Sequence, residues 1–502
     1  MSESAGRVLM LQGTASSVGK SLLTTALCRI LAREGVRVAP FKAQNMSNNS
    51  FVTADGRELG RAQAVQAEAA GIEPLAEMNP ILLKPEADHR SQVVVLGRPQ
   101  GVLRGRDFLE HKQKLWPIVT EALALLRKRF DVVLIEGAGS PAEINLRAGD
   151  IVNMRVARHA QSPVLLVGDI DRGGVFAHLV GTLELLEPDE RALVHGLVIN
   201  KFRGSAELLT PGIDWLERRT GLPVAGVVPW LDAVGVADED AVALEDGRTD
   251  GEGAIDVAVI QFPRIANFDD LDPLRAEPDV RLRFVAHPAA FGSPDLVVLP
   301  GTKSTIADLG WLRETGLAER VAAYASTGGA VIGICGGYQM LGERVLDPCH
   351  VESAAGEAAG LALLPALTTF EPVKATHRVR AVLGESCLFA GAAGTEITGY
   401  EIHMGQSRSE APALRIRSRS GQPCDEPDGA MSVNGRIAGT YLHGLFDNDV
   451  LRKALLHGLA QCRGIVRGEG RRWDRLAAYD RLADHVAAAL DLGLVRRLLK
   501  LT

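Results

Sequence analysis

The sequence predicts an α/β protein of two successive domains, the first a doubly wound parallel sheet. Three observations lead there. Short runs rich in Val, Ile and Leu recur along the chain, amphipathic stretches of helical period separate several of them, and one acidic, Gly-rich segment divides the series. In the first part, RVLMLQG (7–13), VRVAPFK (36–42), VVVLG (93–97), DVVLIEG (131–137), PVLLVGD (163–169), LVIN (197–200) and VAGVVP (224–229) each predict a strand. They are apolar on both faces, as in a sheet covered on both sides. KSLLTTALCRILARE (20–34) and LWPIVTEALALLRKRF (115–130) predict helices between them. DAVGVADEDAVALEDGRTDGEGA (232–254) is poor in large apolar groups and predicts a linker. A second series follows: IDVAVIQ (255–261), RLRFVA (281–286), DLVVLPG (295–301), AVIGIC (330–335) and RIAGTYLHG (436–444). The last stretch has helical spacing and is expected to pack on the second domain. The expected domains are therefore 1–240, 252–447 and a helical extension over 448–502.

Composition narrows the function. In 502 residues, 55 Lys and Arg face 62 Asp and Glu, a net charge of −7, which leaves no basic footprint for nucleic acid or anionic membrane. No apolar run approaches the roughly 20 residues of a membrane helix, and the opening residues lack the pattern of a secretory signal. Six scattered cysteines without a CxxC pair exclude a disulfide scaffold and disfavour a structural zinc site. A soluble cytoplasmic protein is expected, with any anionic ligand met by local devices.

The first such device is LMLQGTASSVGKSLLTTAL (9–27), which reads strand, small-residue loop, helix. Gly13, Thr14, Ser17, Val18 and Gly19 can turn backbone N–H groups toward phosphate oxygens. Lys20 would reach the terminal phosphates, and the Ser21 hydroxyl would ligate Mg²⁺ at the helix N-terminus. Thr14 stands where the usual pattern has its first glycine. Glu136, at the carboxyl end of 131–137, is a second candidate for the metal. VINKFRG (198–204) ends a strand on Asn200-Lys201, and VGDIDRGGVFAHL (167–179) places Asp169, Asp171 and Arg172 at the sheet edge where ligands of such folds bind. An ion pair between Asp171 and Arg172 is the alternative reading.

The second device is VIGICGGYQMLG (331–342), a buried strand running into Cys335, two glycines and a helix. This is a nucleophile elbow, in which the thiol stands on a tight turn and the helix N-terminus favours the thiolate. GTYLHGLFDN (439–448) sets His443 after a late strand, LPGTKST (299–305) places Gly301 and Thr302 after another, and Gln339 lies on the first helical turn after Cys335.

The phosphate loop and the 131–140 strand resemble the dethiobiotin-synthetase-like family, which activates carboxylates with ATP. That resemblance implies Asp55, in FVTADGREL, as a further Mg²⁺ carboxylate and Asn200 as an amide reading the adenine edge. The Gly-x-Cys-x-Gly-x-Gln segment (Gly333, Cys335, Gly337, Gln339) resembles class I glutamine amidotransferases, whose cysteine attacks the glutamine side-chain amide; that resemblance implies His443 as general base and then acid, and the backbone at Gly301, Thr302 and Gly336 as the oxyanion site. Most of that class has a Glu two residues after the His, whereas this chain has Leu445; Glu401 and His403 lie in a nearby segment (399–407). The pair of domains resembles the cobyrinic acid amidases of cobalamin biosynthesis, a subgroup that shares the missing Glu. KAQNMSNNSFVTADGRELGRAQAVQA (42–67), EGAGSPAEINLRAGDIVNM (136–154) and GDIDRGGVFA (168–177) are similar to the branch that amidates four carboxylates.

The resemblance implies an ATP- and Mg²⁺-dependent amidation of the b, d, e and g carboxylates of adenosylcobyrinic acid a,c-diamide, giving adenosylcobyric acid, with ammonia supplied from glutamine through a Cys335 thioester. It implies that Gln44, Asn45, Met46, Ser47, Asn48 and Asn49 could meet the corrinoid's amides and carboxylates; read alone, they form an Asx-rich loop satisfying itself. Two alternatives stay open at this point: an a,c-diamide synthase type of amidoligase, and a P-loop ATPase switch carrying an inactive amidotransferase-like module.

Overall fold

The structure is a computed structural model and describes residues 5–87, 90–104, 108–231, 249–468 and 470–501. Most of the expected linker, and the expected end of the first domain at 240, lie outside the described residues.

The first sheet has six parallel strands in the order 224–229, 194–202, 164–169, 7–13, 132–136, 38–41. Alternation within each strand explains its double apolar face. Leu9 and Leu11 enter one core with Val132, Leu134, Leu165 and Val167, while Val8 and Met10 enter the opposite core with Val133, Ile135, Val164 and Leu166. Helix Lys20–Arg33 covers the first face, and helices Phe108–Arg129 and Val175–Leu185 the second. The helix expected over 115–130 starts at Phe108, so Pro117 lies inside it.

The run 93–97 does not join this sheet. Strand Arg90–Val95 pairs antiparallel with Ile81–Ala87 and Arg98–Arg104 in a small sheet that also holds Gln44–Met46. The reason is the turn: Leu96 (φ 45°) and Gly97 (φ 77°) form a two-residue connection of the left-handed kind that folds a strand straight back on its neighbour.

The second domain has a parallel core in the order 280–285, 255–260, 296–299, 330–334, 437–440, with short antiparallel strands 249–250 and 430–431 at its edges. The last expected strand ends at Thr440, and 441–444 is a loop. A second, mostly antiparallel sheet was not foreseen. Its long strands Ala366–Leu383 and Glu396–Ser409 pair with each other, and 344–346, 357–359, 414–419 and 422–428 complete it.

Helix Asp449–Cys462 packs on the second domain through Leu451, Leu455, Leu456 and Leu459, as expected. Helices Arg475–Ala487 and Leu492–Leu498 do not. They return to the first domain, where Tyr479, Leu482, Val486 and Val495 enter the core beneath helix Lys20–Arg33, and Arg29 pairs with Asp480 at 2.8 Å. Helical spacing defines an apolar stripe but not which surface receives it.

The domains also meet through residues 44–104. Asn49 Oδ1 accepts from Asn267 N–H (2.7 Å), and Asn267 Oδ1 accepts from Ser50 N–H (2.9 Å). Buried Glu58 of the first domain pairs with Lys84 (2.7 Å) and with Lys374 of the second (2.6 Å). Burial would raise the Glu58 carboxyl, yet the two ammonium groups hold it far below the ordinary range. Burial brings Lys374 down to about 8 against the pull of Glu58.

Candidate functional sites on the two sheet edges

In the first sheet the loop 14–19 leaves strand 7–13, Glu136 and Asp169 end its two neighbours, and Asn200 lies opposite Asp169 on the next strand. Gly19 has φ 97°, and a β-carbon on it would stand 2.2 Å from Asn200 Nδ2, so both backbone shape and space require glycine there. Lys20 Nζ donates to Ala15 O (3.1 Å) and Gly139 O (3.2 Å), folding back across the loop. Ser21 Oγ donates to Glu136 Oε1 at 2.8 Å, so two of the three expected metal ligands face each other. Two residues that sequence reasoning missed complete this corner: Lys42 Nζ lies 2.8 Å from Glu136 Oε1, and Gln66 Nε2 donates to Glu136 Oε2 at 2.6 Å. The buried Thr14 hydroxyl has no hydrogen-bond partner, an orphan that suits an oxygen-rich ligand in the loop.

Asp55 is not brought to this corner. It lies in the turn between strands 50–52 and 58–60, bound by the Thr53 hydroxyl and by Arg57 Nε (2.6 Å). Asp-Gly is turn chemistry here, and the local partners claim its carboxylate. Asn200, expected at a base edge, instead donates Nδ2–H to Val18 O (2.8 Å) and braces the loop. Lys201 Nζ donates to Ser17 O (2.6 Å) and Asp169 Oδ2 (2.8 Å), while Asp171 pairs with Arg203 (3.0 Å) rather than Arg172. Among the described residues no three His, Cys, Asp or Glu side chains cluster as a metal site. Ser21 and Glu136 are the side chains here that could hold Mg²⁺.

In the second sheet, strand 330–334 delivers Cys335 between the loops that follow 296–299 and 437–440. Cys335 has φ 52° and ψ −110°, the strained turn of an elbow, and helix Gly336–Leu341 begins at once. The approach is close on every side. A β-carbon on Gly337 would stand 1.9 Å from Leu299 O; one on Gly336 would stand 3.1 Å from Thr302 N and 2.6 Å from its Cγ2. One on Gly301 would lie 3.1 Å from His443 Cε1 and 3.8 Å from Cys335 Cβ. Gln339 is engaged at both ends: Thr305 Oγ1 donates to its Oε1 (2.8 Å), and its Nε2 donates to Tyr441 OH (3.1 Å).

Leu445 does not leave His443 without a carboxylate. Nδ1–H donates to Asp270 Oδ2 at 2.7 Å, and Asp270 Oδ1 accepts from Gly444 N–H, also at 2.7 Å. The ring stacks on Tyr400 (5.2 Å, 20°), and its buried Nε2 has no hydrogen-bond partner. Burial would lower the imidazole, but the charge and hydrogen bond of Asp270 outweigh it, with Cys335 adding to them, and His443 is pushed up to about 10. Asp270 sits in NFDDLDPL (267–274), far upstream in sequence. Its only signal was a pair of carboxylates in a turn after the 255–260 strand. Glu401 serves another purpose, paired with Arg419 at 2.8 Å. His403 stacks on Tyr441 and lines the cavity with Cys335; burial lowers it to about 4.

That cavity spans the domain boundary. Cys335, His443, Gly301, Thr302 and Lys374 line it from the second domain, and Lys84, Glu86 and Gln92 from the first. Glu86 anchors the two sides: its backbone oxygen accepts from Arg264 Nε (2.7 Å), and its carboxylate pairs with Lys303 (2.9 Å).

Residues 9–243 match the family described as the CobQ/CobB/MinD/ParA nucleotide binding domain, and residues 256–451 the CobB/CobQ-like glutamine amidotransferase domain. The two sheet edges thus define the class: a nucleotide-binding domain joined to a glutamine amidotransferase domain in one chain. Full-length relatives narrow it. The cobyric acid synthase of Sorangium cellulosum (strain So ce56) is 55% identical over 513 residues, covering 98% of each chain. That of Moorella thermoacetica (strain ATCC 39073 / JCM 9320) is 53% identical over 496 residues, covering 97% of this chain and 96% of that protein. That of Chloroflexus aurantiacus (strain ATCC 29366 / DSM 635 / J-10-fl) is 52% identical over 500 residues, covering 98% and 99%. The chain belongs to the cobyric acid synthase family and is a glutamine-dependent amidoligase.

Proposed function

We propose that the chain makes adenosylcobyric acid by amidating the b, d, e and g carboxylates of adenosylcobyrinic acid a,c-diamide, with one ATP and one glutamine for each amide. The observation that carries the reading is similarity at 52–55% identity along nearly the whole chain to proteins named cobyric acid synthase. The thiol–imidazole–carboxylate arrangement supports the glutaminase half. The Cys335 thiolate adds to the glutamine side-chain carbonyl carbon, and backbone N–H groups at Thr302 and Gly336 receive the oxyanion. The His443 imidazolium gives its proton to the leaving nitrogen, so ammonia departs and a thioester remains. His443 then takes a proton from water as it adds to the thioester, releasing glutamate and restoring the thiol.

In the first domain, Gly13 to Lys20 would cradle the phosphates, and Ser21 with Glu136 would hold Mg²⁺. Mg²⁺ there would screen phosphate charge; the substrate carboxylate takes the terminal phosphoryl group, leaving ADP, and ammonia then adds to the carbonyl carbon of the acyl phosphate and displaces phosphate to give the amide. Gln44 Oε1 and Asn48 Oδ1 are buried without hydrogen-bond partners, which supports the 44–49 segment as a meeting point for the corrinoid's amides. The reaction belongs in the cytoplasm, where ATP and glutamine are supplied and thiols stay reduced; all six cysteines are free. Among the described residues no helix is long and apolar enough to cross a membrane.

The test is mass spectrometry of the diamide incubated with ATP, Mg²⁺ and glutamine, with four successive replacements of OH by NH₂ expected. Cys335→Ser should abolish the glutamine-dependent reaction and retain the one driven by ammonium salts. A product stopping short of four amides would overturn the substrate assignment, and glutamine-dependent synthesis surviving Cys335→Ser would overturn the thiol's role.

A further inference from the structure

The carboxylate that orients His443 lies on a turn held in place by the other domain. Asn267, at the start of that turn, exchanges hydrogen bonds with Asn49 and Ser50, as given above. Two residues on, Asp269 Oδ2 lies 2.8 Å from Arg61 Nε, both side chains being buried. The next residue is Asp270, on His443. Arg61 opens helix Arg61–Ala69, its own N–H donates to Asn49 O (3.1 Å), and its guanidinium lies over the Phe51 ring (5.1 Å). Phe51 in turn meets Tyr400 edge-on (5.2 Å), the ring that stacks on His443. Residues 49–61 of the first domain therefore reach the imidazole by two routes, one through carboxylates and one through rings.

The charges around this contact leave Arg61 little alternative. Glu68 (4.0 Å from Arg61), Asp269, Asp270 and Asp447 gather at the boundary, against Arg61 and Arg475, which pairs with Asp447 at 2.8 Å and Glu68 at 3.6 Å. Without Arg61, Asp269 would be a buried carboxylate beside Asp270, and the turn carrying both would have to shift or take up a proton.

We propose that Arg61 is a positioning residue for glutamine hydrolysis, acting from the first domain through Asp269 to hold Asp270 and thereby His443 in register with Cys335. The inference rests on the reading of Cys335 and His443 as the glutaminase pair. The same helix carries Gln66 to Glu136, about 7.5 Å further along its axis at 1.5 Å per residue. One short rigid element therefore touches the machinery of both domains.

The experiment uses the full-length enzyme and measures glutamine hydrolysis and ammonia-driven amidation on the same preparations. Arg61→Met should lower kcat for glutamine hydrolysis on the order of 10²-fold, as misplacement of a catalytic group by about 1 Å does, with KM for glutamine within about twofold. Arg61→Lys, which restores the charge, should recover part of the loss. Asp269→Asn should reproduce the Arg61→Met defect, and the double variant should be no worse than either single one. Ammonia-driven amidation should persist in all of them. An unchanged kcat in Arg61→Met overturns the proposal. So does loss of both activities together in Arg61→Met and Arg61→Lys, which would make the residue a fold determinant only. Glutamine hydrolysis that survives Cys335→Ser would overturn the underlying pair and the proposal with it.

Discussion

At the scale of single residues, the proton affinity that Asp270 gives His443 governs the chemistry proposed at Cys335. An unperturbed His titrates near 6.5, whereas burial, which alone would lower it, is outweighed by the charge and hydrogen bond of Asp270, which push His443 up to about 10. Because the folded value is the higher one, the stabilisation from this pair is complete below about pH 6.5 and is lost as pH rises through about 10. The pH-dependent part of the Tm difference between wild type and Asp270→Asn should therefore be largest near pH 6 and vanish toward pH 10, as followed by calorimetry. Glutamine hydrolysis by Asp270→Asn should fall on the order of 10²- to 10⁴-fold, and its alkaline limb should move from near 10 toward neutrality. A limb that stayed put would mean that Asp270 does not set the imidazole's proton affinity. Sequence offered Cys335, Ser21 and Glu136 as candidates because each follows a strand or opens a helix in an unbroken local pattern, and offered His443 through the amidotransferase resemblance. It did not place Asp270 or Arg61, whose roles come from contacts across 173 and 208 residues. It also misassigned Asp55, since an Asp-Gly turn and a ligand carboxylate look alike until the neighbouring arginine is seen.

At the scale of elements, space rather than chemistry sets the elbow's composition. Gly337→Ala would drive a β-carbon to 1.9 Å from the Leu299 carbonyl oxygen and 2.5 Å from its carbonyl carbon, backbone atoms that cannot swing aside. The expected outcome is a destabilised second domain, by about 1–3 kcal/mol or more, together with loss of glutamine hydrolysis. Thermal melts and the glutaminase assay check both. Gly19→Ala should weaken ATP binding for the corresponding reason, since φ 97° and the Asn200 amide both oppose a side chain. Isothermal titration with ATP and Mg²⁺ measures it, and wild-type affinity would remove the phosphate-loop assignment. Buried parallel strands were legible because burial on both faces demands continuous Val, Ile and Leu. The run 93–97 satisfies the same demand from a hairpin, since an apolar run records burial and not its partner strand. The strands 366–383 and 396–409 mix exposed and buried positions irregularly and so carried no clean period.

Across the whole molecule, helices Arg475–Ala487 and Leu492–Leu498 cross from the second domain back to the core of the first. Leu482, Val486 and Val495 lie in the core shared with Leu27 and Leu31 of helix Lys20–Arg33, directly behind the phosphate loop. Leu482→Ala should cost about 2–5 kcal/mol and lower the first domain's unfolding transition. Calorimetry should show the second domain's transition nearly unmoved, with glutamine hydrolysis retained and ATP-driven amidation reduced at elevated temperature. A uniform loss of both activities would show that the two domains unfold as one unit. The boundary itself is held by buried ion pairs, Glu58 with Lys84 and Lys374 and Arg61 with Asp269, whose partners each need the other to remain charged inside the protein.

The sequence by itself determined two parallel sheets, their order along the chain, and a phosphate loop and a thiol elbow at strand ends, because backbone geometry ties those features to neighbouring residues. The tertiary structure decided which carboxylate orients His443, which domain receives the last helices, and that residues 49–61 of one sheet's domain support the reactive edge of the other. Those contacts join residues distant in sequence, where burial and charge pairing act through space and leave no periodic trace in the chain.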